Sequence, residues 1–281
     1  MSIKNNTLNM EHYTEALKKL GISYLGATTQ SAKLTYSYNH GWETYGVYLA
    51  LATLARDEKH PYINLCPCSD MCRDFCLNKA GHNKAATLHA TNNELSHIDK
   101  SRIKKTHLFY DNRELFMEIL IHEIERYQRR AKKHGMGFAV RLNCTSDLSP
   151  EIYKYKGKNI LEIFPNVQFY DYTKVPSRLA LAEKYPNYDL TLSYDGTNEE
   201  LCKEYLSKGG KVAVVFDVWE NGKQILPTTW WGFDVEDANG TDTRFLNTPG
   251  TIMGLHYHKT SNDYVNGQYR PKETPFIVRS L

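Results

Sequence analysis

Four cysteines of this 281-residue chain fall within a run of eleven residues: Cys66, Cys68, Cys72 and Cys76. Thiolates packed this densely in sequence suit tetrahedral zinc or an iron–sulfur cluster, because both prefer soft sulfur ligands. The N-terminal residues carry no apolar stretch of a secretory signal, so we expect a cytoplasmic setting in which thiols stay reduced. The run therefore predicts a metal site rather than a disulfide framework.

The spacing within the run favours an iron–sulfur cluster over zinc. Structural zinc usually takes two Cys-x₂₋₄-Cys pairs from separate knuckles, and the sequence has no second pair. A single run on a loop is more typical of a [4Fe–4S] cluster held by three cysteines, with one iron open to another ligand. The preferred ligands are Cys66, Cys72 and Cys76, with Cys68 as a spare or fourth. The final spacing differs from the Cys-x₃-Cys-x₂-Cys loop of radical-SAM enzymes, so SAM is not implied. Zinc and metal-free thiols stay open as alternatives.

The elements that must position these thiols follow an alternating pattern. The predicted strands are Tyr62–Leu65, Gly137–Asn143, Val167–Tyr172, Tyr188–Ser193, Lys211–Phe216 and Thr251–Tyr257. The predicted helices are a long one that Asp111 caps and Gly135 ends, then Pro150–Phe164, Ser177–Lys184 and Asn198–Lys208. Such alternation predicts an α/β fold with a parallel sheet of about six βα units, open or curled into a partial barrel. Either arrangement places a ligand site at the carboxyl ends of the strands.

The domain organisation predicted from the sequence is a single α/β domain over residues 1–281, because no repeat or linker interrupts it. Residues 1–60 would form an N-terminal extension, and residues 61–217 and 251–259 the βα core. Residues 218–250 would form a lid-like insertion, since connections this long are uncommon unless they act as lids or carry a hairpin.

Polar side chains at the predicted strand ends are candidates for the chemistry. Arg141 and Asp147 lie at the end of one predicted strand, and Tyr172 and Lys174 at the end of the next. Polar groups in apolar parallel strands are costly unless they are paired. We therefore expect these four side chains to lie close together at the carboxyl-terminal edge of the sheet. There they would line the site and act as acid–base partners to chemistry at the metal.

Four further residues have weaker metal-ligand signals. Cys144 leaves the same strand as Arg141, although a half-buried cysteine more often serves as a small hydrophobe. Cys202 falls in a helical pattern and is expected in the core. His256 and His258 share one face of the last predicted strand, where both could ligate.

Charge and motifs exclude several function classes. The net charge is only +3, from 35 basic and 32 acidic residues, which gives weak support for a nucleic-acid platform. The sequence has no Walker loop, G-x-G-x-x-G, G-x-S-x-G or H-E-x-x-H motif, and no apolar run long enough to span a bilayer. A small-molecule substrate is therefore the expected partner, with nucleic acid disfavoured and no membrane.

A string of motifs runs through most of the chain. The most specific is Gln168-Phe-Tyr-Asp-Tyr-Thr-Lys174, and the others include Asn64-Leu-Cys-Pro67, Ala80-Gly81, Asp111-x-Arg113 and Thr145-Ser-Asp147. In this order they resemble the phage gene-product-88-like proteins, from roughly Tyr45 to Lys259. The resemblance implies a phage origin and the cytoplasm of an infected bacterium, and it implies no particular activity. Leu51, Cys68 and Cys144 depart from the family pattern, where Pro, His and Gly are usual.

Three functional hypotheses follow from these residues. The first is an iron–sulfur enzyme whose open iron performs redox or sulfur chemistry on a small molecule. The alternative is a zinc-stabilised, nucleic-acid-associated phage protein, since Lys100–Lys105 and Arg126–Lys133 are basic and twenty tyrosines offer stacking surfaces. The third is a redox sensor or scaffold whose cluster does no catalysis.

Overall fold

The computed structural model describes residues 10–29, 31–76, 95–259, 263–265, 268–269 and 273–281; Ala80-Gly81 of the motif string lies outside them. The helices among these residues are α1 (Met10–Leu20), α2 (Ala32–Tyr36), α3 (His97–Asp111), α4 (Arg113–Lys133), α5 (Ile160–Ile163), α6 (Ala180–Lys184) and α7 (Glu199–Ser207). The first strands are β1 (Gly26–Ala27), β2 (Trp42–Val47), β3 (Gly137–Arg141), β4 (Gln168–Thr173), β5 (Tyr188–Ser193) and β6 (Lys211–Phe216). The later strands are β7 (Val218–Glu220), β8 (Lys223–Ile225), β9 (Thr229–Trp230), β10 (Phe233–Asp237), β11 (Ile252–His256), β12 (Tyr264–Val265), β13 (Gln268–Tyr269) and β14 (Ile277–Val278).

Ten of these strands belong to one sheet, in the order β1-β2-β3-β4-β5-β6-β11-β10-β9, with β14 beside β6. The pairings β1–β2 and β9–β10 are antiparallel, whereas β2–β3, β3–β4, β5–β6, β6–β11, β10–β11 and β6–β14 are parallel. The predicted α/β class and its mostly parallel sheet are therefore confirmed. Among the described strands the sheet has two ends, β1 and β9, and is not closed.

Two compact units divide the chain. Unit one comprises Met1–Cys66, His97–Asp171 and Lys184–Tyr188, and unit two comprises Pro67–Ser96, Tyr172–Glu183 and Asp189–Leu281. The sequence did not indicate this division, because the two units interleave along the chain and no linker composition separates them.

The predicted strand Tyr62–Leu65 is wrong. These residues form turns and bends, and the first parallel strand is β2, within the expected N-terminal extension 1–60. Ile63 and Leu65 are buried side chains of an irregular loop, whose Leu65 amide donates to the Ala52 carbonyl over 2.9 Å. The apolar residues of this segment therefore reflect packing rather than strand pairing.

The predicted insertion over residues 218–250 carries strands of its own, as the alternative of a hairpin expected. Within it, β10 joins the main sheet in parallel register, with Val235 opposite Ile252, and β7 and β8 form a hairpin. Phe233 and Val235 pack against the hydrophobic cluster that contains Ile252. Burial of these side chains fixes the segment as part of the sheet.

The long helix is confirmed, with a different cap. The Asn112 side chain accepts from the Leu115 amide over 3.0 Å, which caps α4. Asp111 instead ends α3. One face of α4, which includes Ile119 and Ile124, is apolar and buried. Of the other predicted helices, Asn198–Lys208 corresponds to α7, whereas Pro150–Phe164 and Ser177–Lys184 are helical only in short pieces.

One carboxylate lies in the core of unit one. Glu123 of α4 is fully buried and accepts hydrogen bonds from the Tyr13 hydroxyl (2.8 Å) and the Tyr45 hydroxyl. It also accepts from the backbone amides of Leu25 and Gly26, each over 2.9 Å. A buried carboxylate is tolerated only when its oxygens accept hydrogen bonds. Through these bonds, a single side chain on α4 holds α1, the segment that leads into β1, and β2.

The buried Lys105 gives the stability of unit one a pH dependence. Its ammonium donates to the Leu25 carbonyl over 2.9 Å, and burial lowers the pKa of Lys105 from 10.5 to about 8. Between these values the unfolded chain binds more protons, so stability rises with pH. Lys105→Met removes this titration. We expect the stability of the variant relative to wild type to fall by about 2.5 kcal/mol between about pH 7 and pH 10. Urea unfolding across that range measures it, with the exposed Lys104→Met as control; parallel pH profiles for wild type and Lys105→Met would contradict the assignment.

Candidate metal centre

The cysteine loop of unit two is a sequence of tight turns. The Cys72 amide donates to the Ser69 carbonyl over 3.2 Å, and the Phe75 amide donates to the Cys72 carbonyl over 3.1 Å. A short 3₁₀ turn, Arg73–Phe75, lies between Cys72 and Cys76. No disulfide joins any of the six cysteines, all of which lie in the described part of the chain. Cys72 and Cys76 are half-buried, and Cys68 is exposed.

Phe75 fixes this loop onto the apolar part of unit two. Its ring is 6% exposed and packs in a cluster with Tyr257 and Ile277. The ring centroids of Phe75 and Tyr257 are 6.3 Å apart, in an edge-to-face arrangement, and Phe276 lies 6.5 Å away. Aromatic packing of this kind holds the two flanking cysteines beside a dry surface.

A cation accompanies the Cys72 thiol. The Lys174 side chain hydrogen-bonds to Cys72, and the same ammonium lies 5.5 Å from the centroid of the Phe276 ring. Burial raises the pKa of Cys72, while the charge and hydrogen bond of Lys174 act to lower it. The neighbouring Cys76 acts in the opposite direction to Lys174. Lys174, predicted from its position after a strand, is thus placed against a predicted ligand.

The thiols of unit two are not gathered at the spacing of a single zinc ion. With Zn–S bonds of about 2.3 Å, tetrahedral ligand sulfurs lie roughly 3.8 Å apart. Among the described residues, Cys68, Cys72 and Cys76 do not form a group with all three sulfurs within 4.8 Å of one another. Ligands bound to different irons of a cluster have no such requirement.

Cys66 belongs to unit one and lies beside the loop that follows β3. Its sulfur is 3.9 Å from the Thr145 carbonyl oxygen, and its amide donates to the Asn64 side chain over 3.1 Å. The Asp147 amide donates to the Leu65 carbonyl over 2.7 Å, so the two loops are joined by backbone contact. The structure therefore brings Cys66 and the predicted Asp147 onto adjoining segments of unit one.

A buried polar network shapes this loop. Asp171 is fully buried and accepts from the Asn143 amide (2.8 Å) and the Tyr188 hydroxyl (2.9 Å). The Asn143 side-chain oxygen in turn accepts from the Ser146 hydroxyl over 2.7 Å. Asn143 follows β3 and Asp171 lies in β4, close to the predicted site residues Arg141 and Tyr172 in sequence. Their partners show that they organise the 143–148 turn.

Cys144 belongs to the loop that follows β3, and Arg141 is the last residue of β3. The Cys144 thiol lies 3.7 Å from the Arg141 carbonyl oxygen and also hydrogen-bonds to Tyr48. Burial raises the pKa of Tyr48, with Cys144 adding to the rise. A Cβ added at Gly46 would lie 2.7 Å from the Cys144 sulfur, so this thiol fills tightly packed space.

The remaining predicted residues lie in unit two. Tyr172 is 3.5 Å from an oxygen of Asp242, the limit of a hydrogen bond. His256 is half-buried and His258 exposed, and neither joins a group of three metal-type ligands within the described part of the chain. Cys202 is fully buried in a hydrophobic cluster, which confirms the core role; burial raises its pKa to about 12.

A group of ligand-type side chains that the sequence analysis missed lies elsewhere in unit one. Asp57, His60 and His107 each offer a ligand atom, and these atoms lie within 4.8 Å of one another. The spacings Asp57-x₂-His60 and His107-x₃-Asp111 were the available signal, because each places two side chains on one side of a turn.

The fold and the loops define the structural class of this protein, which is a mixed α/β protein with a mostly parallel sheet and a thiol-rich turn. Residues 16–266 match the family described as Gene product 88, and the chain belongs to this family. The membership indicated by the motif string is thus confirmed. Searches of curated proteins and of solved structures gave no match. In the described part of the chain, no helix has the length and apolarity to cross a membrane.

Proposed function

We propose that this protein is an iron–sulfur enzyme, active in the cytoplasm of an infected bacterium, that performs redox or sulfur chemistry on a small molecule. Cys72 and Cys76 hold the cluster together with a third thiol of the same run. Cys66 is the choice made from sequence spacing for that third ligand, and Cys68 is the spare or fourth. The partial (β/α) barrel expected from the sequence is the fold that we propose for this enzyme.

The observation that carries the proposal is the contact between Lys174 and Cys72. Metal ligation needs the thiolate, and a half-buried thiol resists ionisation unless a positive charge accompanies it. An ammonium hydrogen-bonded to the sulfur favours the charged form. Hydrogen bonds and nearby charges at ligand sulfurs also tune the potential of a cluster.

The apolar packing around Phe75 gives the second line of support. Phe75 lies between the two cysteines in sequence and is anchored against Tyr257 and Ile277. The hydrophobic surroundings of a metal site control solvent access and local dielectric, and hence redox potential. A loop fixed in this way keeps its ligands in place without the metal.

The cluster, when bound, supplies an open iron that can accept electrons or bind a sulfur-containing ligand. The chain's own residues bind and orient the substrate. Tyr172, whose hydroxyl is 3.5 Å from an oxygen of Asp242, is the predicted proton donor or acceptor, and Arg141 and Asp147 are the predicted charged groups that contact the substrate. These roles rest on position after strands.

Lys174→Met tests the carrying observation. Removing the ammonium leaves the Cys72 thiol half-buried without its cation, so we expect iron to be lost about 10- to 100-fold faster to a chelator. Lys174→Arg, which keeps the charge, should retain most of the iron, and replacement of the exposed Lys184 at the end of α6, Lys184→Met, serves as a control. Chelator-induced loss of cluster absorbance in anaerobic protein measures the rate. Equal rates in wild type and Lys174→Met would remove the main support for the proposal.

One observation favours the alternative of a zinc-stabilised, nucleic-acid-associated protein. Arg129 and Lys132, in the basic stretch of α4, line an open cleft of unit one together with Trp42. Cations beside an aromatic ring suit single-stranded nucleic acid. Titration of single-stranded DNA at several salt concentrations decides between the two: salt-sensitive binding that Arg129→Ala weakens, with stoichiometric zinc, supports the alternative.

A further inference from the structure

A second group of ligand-type side chains lies in unit one, formed by two separate pieces of chain. Asp57 and His60 come from the loop before the cysteine run, and His107 and Asp111 lie one turn apart on α3. The imidazoles of His60 and His107 are stacked, with ring centroids 4.4 Å apart and planes within 16°. Two carboxylates and two imidazoles therefore face one another across a short gap.

The distances fit neighbouring ligands of one ion. His60 Nδ1 is 2.8 Å from one Asp57 oxygen, and His107 Nε2 is 3.5 Å from the other. Metal–ligand bonds of about 2.0–2.2 Å place adjacent ligand atoms roughly 2.8–3.6 Å apart, for angles between octahedral and tetrahedral. The Ala55 carbonyl oxygen accepts a hydrogen bond from His107 Nε2 over 2.8 Å, so this ring nitrogen faces the 55–60 loop.

The fourth side chain has a supporting position. An Asp111 oxygen lies 2.9 Å from His60 Nε2, the ring nitrogen that faces away from Asp57. A carboxylate on the far nitrogen of a ligating histidine fixes its tautomer and orientation, a common arrangement around protein metal ions. The Lys59 ammonium also lies 2.8 Å from this Asp111 oxygen. Asp111 is therefore assigned as a hydrogen-bond partner of His60 and not as a metal ligand.

We propose that Asp57, His60 and His107 bind a divalent transition-metal ion such as Zn²⁺, with Asp111 orienting His60. The donor set of imidazole and carboxylate suits Zn²⁺, Co²⁺ or Ni²⁺, and differs in chemistry from the thiols of the proposed cluster. Bound metal would link the 55–60 loop to α3 and stabilise unit one, because an ion that binds only the folded chain favours folding. This site is independent of the iron–sulfur proposal.

Co²⁺ titration of the full chain tests the site, since cobalt reports its ligands by absorption. Wild type should show a visible band of cobalt bound by nitrogen and oxygen, and the Cys72→Ser variant should keep that band. His107→Asn and Asp57→Asn should each weaken Co²⁺ affinity at least tenfold, and Asp111→Asn about tenfold. The exposed His134→Asn should leave the affinity unchanged.

Two results would overturn this proposal: equal cobalt affinity in wild type and His107→Asn, or a band that disappears only in Cys72→Ser. Asp57 is exposed and asparagine keeps its shape, so its variant tests the site even where a histidine replacement disturbs the loop. Circular dichroism confirms that each variant is folded. Iron and sulfide content, measured alongside, separates failure of this site from failure of the iron–sulfur proposal.

Discussion

We expect Cys72→Ser to remove nearly all iron and acid-labile sulfide from protein purified without oxygen, and Cys76→Ser to do the same. A serine hydroxyl stays protonated at neutral pH and is a poor ligand for iron in a sulfide cluster, which selects thiolates. A cluster held by three cysteines and deprived of one keeps too few ligands to persist. Iron analysis and acid-labile sulfide analysis of the purified variants measure this loss directly.

Cys202→Ala is the matched thiol control. Cys202 is fully buried in a hydrophobic cluster of unit two, so its replacement affects packing and not metal content. Comparison of Cys66→Ser with Cys68→Ser identifies the third ligand, because only the ligating position loses iron to the same degree as Cys72. Full iron content in folded Cys72→Ser protein would contradict the assignment of this loop.

Glu123→Ala lowers the free energy of unfolding by about 4 kcal/mol. The carboxylate accepts from two backbone amides and two tyrosine hydroxyls, all in the interior of unit one. Its removal leaves the amides of Leu25 and Gly26 and the hydroxyls of Tyr13 and Tyr45 without their acceptor. Chemical denaturation at neutral pH, followed by circular dichroism, gives the change.

Glu125→Ala on the same helix is the control. Glu125 is partly exposed and its contact with Arg129 is 3.7 Å, so we expect a change below about 0.5 kcal/mol. Glu123→Gln, which keeps one acceptor oxygen, should fall between the two. Equal stabilities for Glu123→Ala and Glu125→Ala would show that the buried carboxylate does not hold these elements together.

The elements with continuous apolar patterns were predictable from the sequence. Burial imposes a regular apolar pattern on β5, β6 and α4. The structure has these elements at the positions that the pattern predicts. Strand β2 was missed because Glu43 interrupts its apolar run. That carboxylate is fully buried and pairs with Arg130, a partner 87 positions away that no local pattern reveals.

The same distinction applies to the sites. The cysteine run was visible because its ligand type and spacing are local, and Lys174 was visible as a polar residue after a strand. The anchoring of Phe75 by Tyr257 and Ile277 was not, since those partners are far along the chain. The pairing of His60 with His107 likewise depends on α3 returning to the loop.

The most direct test of the central claim is the metal content of wild-type protein purified and reconstituted without oxygen, combined with Mössbauer spectroscopy. We expect about four irons and four sulfides per chain, with the spectrum of a [4Fe–4S] cluster. Protein that holds neither iron nor acid-labile sulfide before and after reconstitution, with zinc bound by its cysteines instead, would contradict it.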